Sequence, residues 1–343
     1  MNVRLSFLLV FVAFALMVAL PALAQESPSI QAAGWERIAS DGATTCLRGD
    51  PYAFFARAGD PSNLIIYFQG GGACWDDFTC RPGVFADDTV NSFEMALYDG
   101  VFNFEAPTNP LADPAHPLYD ASIVFVAYCS GDLHGGDRER VYRYDGQDHT
   151  LQHRGAVNTA AALDWTYERY PAPRRLLITG SSAGGYGALI NAPQILTHYA
   201  AGIADGTTRA HVFADASPGI YPVDWNPSDY WGAYDELGMV ALLEAFPTTP
   251  IGFYSTDADF VSTYAYTLQG GTIADYQGLI AGMARDLAAA YPNFSAYIPR
   301  GDSHVILALP DYYTLRVNGV RFAAWFAAWL MDAPVQDVIC RGC

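Results

Sequence analysis

A serine in a turn of small residues is the strongest chemical signal in the sequence. Residues Gly180–Gly184 fit the pattern G-x-S-x-G and fall between a predicted strand and a predicted helix. In that setting the pattern is typical of a strained strand-to-helix turn that raises a serine hydroxyl above the edge of a sheet. The helix that follows points its positive end at the site. The spacing predicts Ser182 as a nucleophile, with Ser181, the residue before the turn, as the alternative.

A glycine run is the second signal. Gly70–Gly72 follows the apolar run Leu64–Phe68, well before the serine turn. A glycine-rich turn after a strand can present backbone N–H groups to an oxyanion, and the residue after the nucleophile, Ala183, supplies a second donor. A flexible turn without function is the alternative interpretation. The position of the run favours an oxyanion hole.

A serine nucleophile needs a base, which the histidines must supply. In a G-x-S-x-G enzyme of this type the chain order is serine, acid, histidine. His198 falls on the predicted helix after the serine, and His211 precedes a strand as a surface or sheet residue. His304 falls in a polar loop after the predicted strand Ser295–Ile298. We therefore predict His304 as the base.

Three aspartates compete for the role of the acid that orients the base. Asp257 and Asp259 both follow the predicted strand at residues 250–255. Asp259 is preferred because an Asp-x-Val segment that starts a helix resembles the usual acid loop, while Asp257 is the alternative acid or a cap of that helix. Asp215 ends the preceding strand, where it is a third candidate acid or a brace for the nucleophile turn.

Strand-like runs alternate with helix-like runs along the chain, with no internal repeat. This alternation predicts an α/β fold with a mostly parallel sheet covered by helices on both faces. We expect a single domain over residues 25–343, with residues 78–117 as a loop excursion over the active site. The predicted strands are Leu64–Phe68, Ile123–Ala127, Arg175–Thr179, Val212–Asp215, Ile251–Ser255 and Ser295–Ile298. The predicted helices are Ala156–Tyr170, Ala183–Tyr199 (kinked or ended by Pro193), Thr272–Tyr291 and Val320–Met331.

The N-terminus is typical of a signal peptide. A short positive segment, an apolar run over residues 5–20 and the small residues Pro21–Ala24 predict cleavage after Ala24. An uncleaved anchor is the alternative, although the run is short for a bilayer span. We expect a secreted or periplasmic protein with no membrane span after residues 1–24 are removed.

The six cysteines favour disulfides in an oxidising compartment. Cys74 and Cys80 bracket a short loop and are predicted to pair. Cys46 is paired with Cys129, which leaves Cys340 for Cys343, although spacing alone does not settle the connectivity. Metal binding is the rival interpretation, but the spacings lack a second C-x-x-C or a histidine partner, so we expect no metal.

The chain is strongly acidic, with a formal net charge of −18. This charge disfavours nucleic acid and anionic membranes as partners. We expect a monomer that needs no cofactor and acts on an ester substrate.

Four segments together resemble the pectin acetylesterase and Notum family of serine esterases. The likeness covers most of residues 46–310, and the segment at 128–134 is similar to the bacterial branch. The segments are Phe68–Trp75, Tyr128–His134, Thr179–Gly185 and Phe213–Ala216.

The resemblance implies an α/β-hydrolase fold, no metal and a catalytic triad. Carried onto this sequence, the triad is Ser182, Asp259 and His304. The implied oxyanion donors lie near Gly71, Gly72 and Ala183. The family often has tryptophan directly after the glycines, whereas here Ala73 and Cys74 precede Trp75, which leaves the donor open.

The leading functional prediction is hydrolysis of carboxylic esters, with acetyl groups on a polysaccharide such as pectin as the substrate. A lipase-like or polyester esterase that acts on longer acyl esters is the alternative among enzymes. A catalytically inactive binding module on the same fold is the alternative of another class. Fold and family alone do not fix a substrate.

Overall fold

The computed structural model describes residues 34–90, 100–101, 110, 113–232 and 238–340. The predicted signal peptide at residues 1–24, parts of the predicted excursion at 78–117, and Cys343 lie outside these residues. Across the described residues, no helix has the length and apolar character that crossing a membrane requires.

The strands and helices alternate along the chain. The strands are β1 (Trp35–Ala39), β2 (Ala53–Arg57), β3 (Asp60–Phe68), β4 (Ala121–Val126), β5 (Arg138–Tyr144), β6 (Gln147–His153), β7 (Arg175–Ser181), β8 (Arg209–Asp215), β9 (Ile251–Tyr254), β10 (Phe294–Ile298), β11 (Arg316–Val317), β12 (Val320–Arg321) and β13 (Val338–Ile339). The helices are α1 (Gly155–Arg169), α2 (Ala183–His198), α3 (Ala200–Asp205), α4 (Pro227–Trp231), α5 (Met239–Ala245), α6 (Phe260–Leu268), α7 (Ile273–Tyr276), α8 (Leu279–Ala290), α9 (Asp311–Thr314) and α10 (Phe322–Leu330).

Nine strands form one sheet in the order β1-β2-β4-β3-β7-β8-β9-β10-β13. In this spatial order every neighbouring pair from β4 to β13 is parallel. At the β1 edge, β1 pairs antiparallel with β2, and β2 pairs antiparallel with β4. The carboxyl ends of the parallel strands therefore meet at one edge of the sheet, where the loops after them can build a site. The prediction of a mostly parallel α/β fold is confirmed.

Every residue of β4 and β9 is buried, which indicates that both faces of the sheet are covered. Helix α2 packs on β7 and β8. Helix α10 packs aromatic side chains on the same region, with Phe326 and Trp329 at 4.8 and 5.5 Å from the ring of Phe213. These contacts hold β7 and β8, the strands that precede Ser182 and end at Asp215, in the centre of the core.

Three predicted helices differ from the structure. The single helix predicted over Thr272–Tyr291 is wrong, because Gly278 adopts a left-handed φ of +81° and separates α7 from α8. The helix predicted from Val320 begins instead at Phe322, since Val320 pairs in the small β11–β12 sheet. Helix α2 continues through Pro193 to His198, because its buried residues on both sides of the proline fix it against the sheet.

Candidate active site

Ser182 lies in a sharp turn between β7 and α2. Its φ of 58° and ψ of −127° are rare for a residue with a side chain, and such strain persists only where the surroundings fix it. The Ser182 N–H donates to the Asp215 carbonyl at 2.8 Å. A Cβ at Gly184 would lie 1.9 Å from the Phe68 carbonyl oxygen, so only glycine allows α2 to start this close to β3.

His304 and Asp259 form a buried pair at the same edge of the sheet. His304 Nδ1 lies 2.7 Å from Asp259 Oδ2, and the Asp259 side chain is fully buried. An ionised carboxylate only accepts hydrogen bonds, so Nδ1 carries the ring proton and Nε2 is left as the acceptor. Nε2 is buried and bonds to none of the described residues. The Asp259 carboxylate therefore orients His304 and leaves its Nε2 available to accept a proton.

Two loops fasten His304 beside Asp259. Ala258 N–H donates to the Gly301 carbonyl and Phe260 N–H to the Asp302 carbonyl, at 3.0 and 3.1 Å. The Thr256 hydroxyl donates to the Ser303 carbonyl at 2.7 Å. The loop after β9 and the loop after β10 are thus joined along their length, which limits the movement of the histidine ring relative to the carboxylate.

The two neighbouring aspartates have different partners. The interpretation of Asp257 as the helix cap is wrong, because Asp259 Oδ1 accepts from Ser262 N–H at 2.9 Å and caps α6 itself. The Asp257 carboxylate points the other way and accepts from Gly301 N–H at 2.7 Å. Asp257 therefore stabilises the loop that carries His304 and does not contact its ring.

Asp215 braces the site from below. Its carboxylate accepts from the Ser181 hydroxyl at 2.6 Å and from the N–H groups of Ile306 and Leu307 at 3.0 and 2.9 Å. Burial raises the pKa of Asp215 to about 6, and these donors oppose that shift. The bonds connect the residue before Ser182 to the segment after His304, where Val305 is held at a φ of 60°. This is the bracing role that the sequence allowed for Asp215.

The glycine run lies directly beside Ser182. A Cβ at Gly70 would stand 3.3 Å from Ser182 Cβ, and Gly72 has a φ of +69° with the Phe85 carbonyl filling the space of a side chain. The N–H groups of Gly71, Gly72 and Ala183 donate to no atom of the described residues. They are therefore free to bind a developing negative charge next to Ser182.

Two adjoining spaces meet at Ser182 and His304. One is a narrow cavity of about 60 Å³ with a largely aromatic wall. The other is an open cleft of about 560 Å³ that extends along the glycine run and residues 83–87. The aromatic wall of the cavity includes Trp75, Phe85, Tyr186, Tyr221, Trp225, Trp231, Tyr266 and Tyr276.

Two disulfides stabilise the loops behind the glycine run. Cys46 bonds to Cys129 and Cys74 bonds to Cys80, while Cys340 is also disulfide-bonded. Ligand-type atoms of Cys74, Cys80 and His153 lie within 4.8 Å of one another. Their sulfurs are joined to each other and cannot act as thiolate ligands, so this cluster does not suit a metal.

The structure brings the predicted residues to one place and adds others. Ser182 and His304 share a cavity, Asp259 contacts His304, and His211 is buried in β8, where Nε2 lies 3.2 Å from Asp332. In the sequence, residues 128–134 carry only a family likeness. In the structure Tyr128 bonds to Gly72 and His134 bonds to Gln69, the residue before the glycine run, and no spacing in the sequence signals these contacts.

Similar proteins agree with this architecture. A 1.9 Å structure of the Wnt deacylase Notum from Drosophila has a TM-score of 0.58 to this chain at 16% identity, covering 88% of this chain and 96% of that one. This match confirms the predicted α/β-hydrolase fold.

Two curated relatives match part of the chain. Pectin acetylesterase 11 of Arabidopsis thaliana is 27% identical over 195 residues, 55% of this chain and 46% of that protein. Palmitoleoyl-protein carboxylesterase notum2 of Xenopus laevis is 25% identical over 152 residues, 44% of this chain and 30% of that protein. The chain thus spans less than half the length of the curated relatives it matches. The pectinacetylesterase family model matches residues 28–217, more than half of the 343 residues, and the chain therefore belongs to the pectinacetylesterase family.

Proposed function

We propose that the protein is a serine hydrolase of carboxylic esters, with Ser182 as nucleophile, His304 as base and Asp259 as the acid that orients the base. One observation carries the proposal. The buried pair of Asp259 and His304 leaves Nε2 without a partner in the cavity that Ser182 lines. A serine beside an oriented, neutral imidazole is the arrangement that activates a hydroxyl for attack.

The reaction takes two steps. His304 Nε2 accepts the proton of the Ser182 hydroxyl while Oγ forms a bond to the acyl carbon. The carbonyl oxygen becomes an oxyanion, held by the N–H groups of the glycine run and Ala183 and by the positive end of α2. Collapse breaks the ester bond, and His304 returns the proton to the departing alcohol oxygen. Water then attacks the acyl-enzyme by the same route, releasing the acid and restoring the Ser182 hydroxyl.

The narrow aromatic cavity suits the acyl group. Its volume of about 60 Å³ is small beside the roughly 300–1,000 Å³ of typical ligand pockets. The ring of Trp225 is 5.6 Å from Trp75 and is itself mostly buried, so the wall has little room to retreat. An acetyl group fits such a space, whereas a long acyl chain requires it to open.

Chain length therefore provides the first test. With p-nitrophenyl esters from acetate to palmitate, we expect kcat/KM to be highest for acetate to butyrate. For palmitate kcat/KM should be at least about a hundredfold lower, because displacing packed aromatic rings costs several kcal/mol. The measurement is initial rate at concentrations below micelle formation. A maximum at octanoate or beyond would instead support the lipase-like or polyester esterase.

The open cleft suits the alcohol part of the ester, which we propose is a polysaccharide such as pectin. Phe85 lines both spaces and makes an edge-to-face contact at 5.8 Å with Tyr264, which is 47% exposed. Exposed aromatic rings beside a cleft present apolar faces to sugar rings. Relatives named pectin acetylesterases favour an acetylated polymer of this class.

Salt dependence separates polymer classes. The chain has a net charge of −18, so a polyanionic pectin should be repelled at low ionic strength. We expect kcat/KM on acetylated pectin to rise roughly threefold or more between about 10 and about 150 mM NaCl, because the Debye length shortens to roughly 8 Å and the repulsion is screened. The control is neutral acetylated xylan, whose kcat/KM should change by less than about 1.5-fold. Equal salt responses for the two polymers would contradict a substrate-charge effect.

The protein is further proposed to act outside the cytoplasm, as a monomer, after removal of residues 1–24. N-terminal sequencing of the mature protein and its mass in solution test these two points. The alternative of an inactive binding module predicts polymer binding with no acid released from any ester in the panel.

A further inference from the structure

The carbonyl groups of the glycine run are held from outside the run. The Tyr128 hydroxyl donates to the Gly72 carbonyl at 2.9 Å and accepts from Leu133 N–H at 2.9 Å. Tyr128 is fully buried, and its ring fills the space on which a Cβ of Gly71 would intrude at 2.8 Å. One hydroxyl thus connects the end of the run to the loop after β4.

His134 holds the start of the run. Its Nε2 donates to the Gln69 carbonyl at 2.8 Å, and its ring lies edge-on to Phe68 at 5.2 Å. On the other side a Cβ at Gly187 of α2 would reach the ring at 2.6 Å. Burial lowers the pKa of His134 to about 4, so the ring stays neutral. Its single N–H proton is on Nε2, which faces the Gln69 carbonyl. His134 therefore sits between the glycine run and the helix that begins after Ser182.

The loop that carries these side chains is strained and firmly fixed. Leu133 and His134 are consecutive residues with left-handed φ angles of 55° and 63°. The fully buried Asp132 carboxylate accepts from the Ser130 hydroxyl at 2.6 Å and from Gly155 N–H at 2.7 Å. Two adjacent non-glycine residues in this conformation persist only where the surroundings over-determine them, which is typical of functional sites.

Fixing carbonyls orients N–H groups, because each peptide group is planar and its C=O and N–H point in opposite directions. The Gly71 carbonyl accepts from Asp87 N–H at 2.8 Å, which turns the Gly72 N–H the opposite way. His134 fixes the Gln69–Gly70 peptide and Tyr128 fixes the Gly72–Ala73 peptide, whose N–H donates to the Phe85 carbonyl, so both ends of the run are held. Glycines alone would leave this turn many conformations.

We propose that Tyr128 and His134 are positioning residues that fix the peptides at the two ends of the run, Gln69–Gly70 and Gly72–Ala73, so that the Gly71 and Gly72 N–H groups between them face the oxyanion. Neither side chain lines the cavity or the cleft, so each acts through the backbone of the run. The inference rests on the proposed ester hydrolysis at Ser182. It assigns the loop after β4 a share of the transition-state stabilisation.

The first test is Tyr128→Phe, which removes one oxygen and keeps the ring. We expect kcat on p-nitrophenyl acetate to fall about 10- to 100-fold, below the loss for deleting a direct oxyanion donor. KM should change by less than about threefold, since the ground-state carbonyl binds weakly to the hole. The affinity for butylboronic acid, which forms a tetrahedral adduct on serine, should fall by the same factor as kcat. The pH profile should keep its midpoint, because the pair of Asp259 and His304 is untouched.

The matched control is Tyr199→Phe. Tyr199 is also buried, and its hydroxyl donates to the Tyr170 carbonyl at 2.8 Å, at the carboxyl ends of α1 and α2. Tyr199→Phe removes one buried hydrogen bond, whereas Tyr128→Phe removes two, so Tyr199→Phe should lose somewhat less stability and retain its kcat. A merely structural role for Tyr128 predicts that both folded variants retain kcat and boronate affinity.

A second pair of variants keeps the test decisive if Tyr128→Phe does not fold. His134→Leu removes the donor to Gln69 and should lower kcat and boronate affinity together, whereas His134→Gln keeps an amide donor and should recover most of both. The inference is overturned if folded Tyr128→Phe or His134→Leu has kcat and boronate affinity within twofold of Tyr199→Phe. If the wild-type protein hydrolyses no ester in the panel, the proposed function fails and this inference fails with it.

Discussion

Replacing Ser182 with alanine should lower kcat/KM for p-nitrophenyl acetate by roughly 10⁴- to 10⁶-fold, because the acyl-enzyme at Ser182 can no longer form. The Ser182 side chain caps no helix, and the turn is held by the Ser182 N–H bond to Asp215. Circular dichroism and the melting temperature should therefore match the wild type within a few degrees. Rates from stopped assays and a thermal melt measure both.

Ser181→Ala is the matched control for the nucleophile. The Ser181 hydroxyl is buried, donates to Asp215 at 2.6 Å and accepts from the Tyr67 hydroxyl at 2.8 Å. Its loss leaves buried partners unsatisfied, so we expect a stability loss of about 1–3 kcal/mol with most of the turnover retained. A fluorophosphonate should label Ser182 once, as mapped by peptide mass. Label at Ser181, or wild-type turnover by Ser182→Ala, would refute the assignment.

The sequence predicted the strands near the site because they are short apolar runs buried on both faces. It also placed Ser182, Asp259 and His304 after different strands, which parallel pairing then brings to one edge. The Asp-x-Val pattern favoured Asp259 but left Asp257 as an alternative acid. Only the conformation of the loop decides which carboxylate faces the histidine, and that conformation depends on bonds between loops more than 40 residues apart.

Other features had no local signal. The β5–β6 hairpin was not predicted, because its polar side chains alternate without an apolar face that stands out. The contacts of Tyr128 and His134 with the glycine run join segments about 60 residues apart, and a tyrosine after a strand is ordinarily a core residue. Gln277 is extended and Gly278 is left-handed, and together they divide α7 from α8, yet a glycine within a helical pattern is often tolerated.

The two aspartates should behave differently when each becomes asparagine. In Asp259→Asn the Oδ1 atom can still accept from Ser262 N–H and cap α6, so the melting temperature should change little. The amide nitrogen, however, replaces the Oδ2 atom that lies 2.7 Å from His304 Nδ1. Two donors then face each other, and the imidazole is driven to the tautomer that carries its proton on Nε2 and cannot accept one from serine.

We therefore expect Asp259→Asn to lower kcat by about 10³- to 10⁴-fold, on the scale of an Asp→Asn change in a serine protease triad. Asp257→Asn is the matched control: its Oδ1 can still accept from Gly301 N–H, so it should lose a little stability and keep most activity. Adding His304→Ala to Asp259→Asn should cost little more, because the two residues act as a unit. If Asp257→Asn is the inactive variant, the acid is assigned to the wrong aspartate. If both stay active while folded Asp215→Asn is inactive, the acid lies after β8 and the contact between Asp259 and His304 serves only the fold.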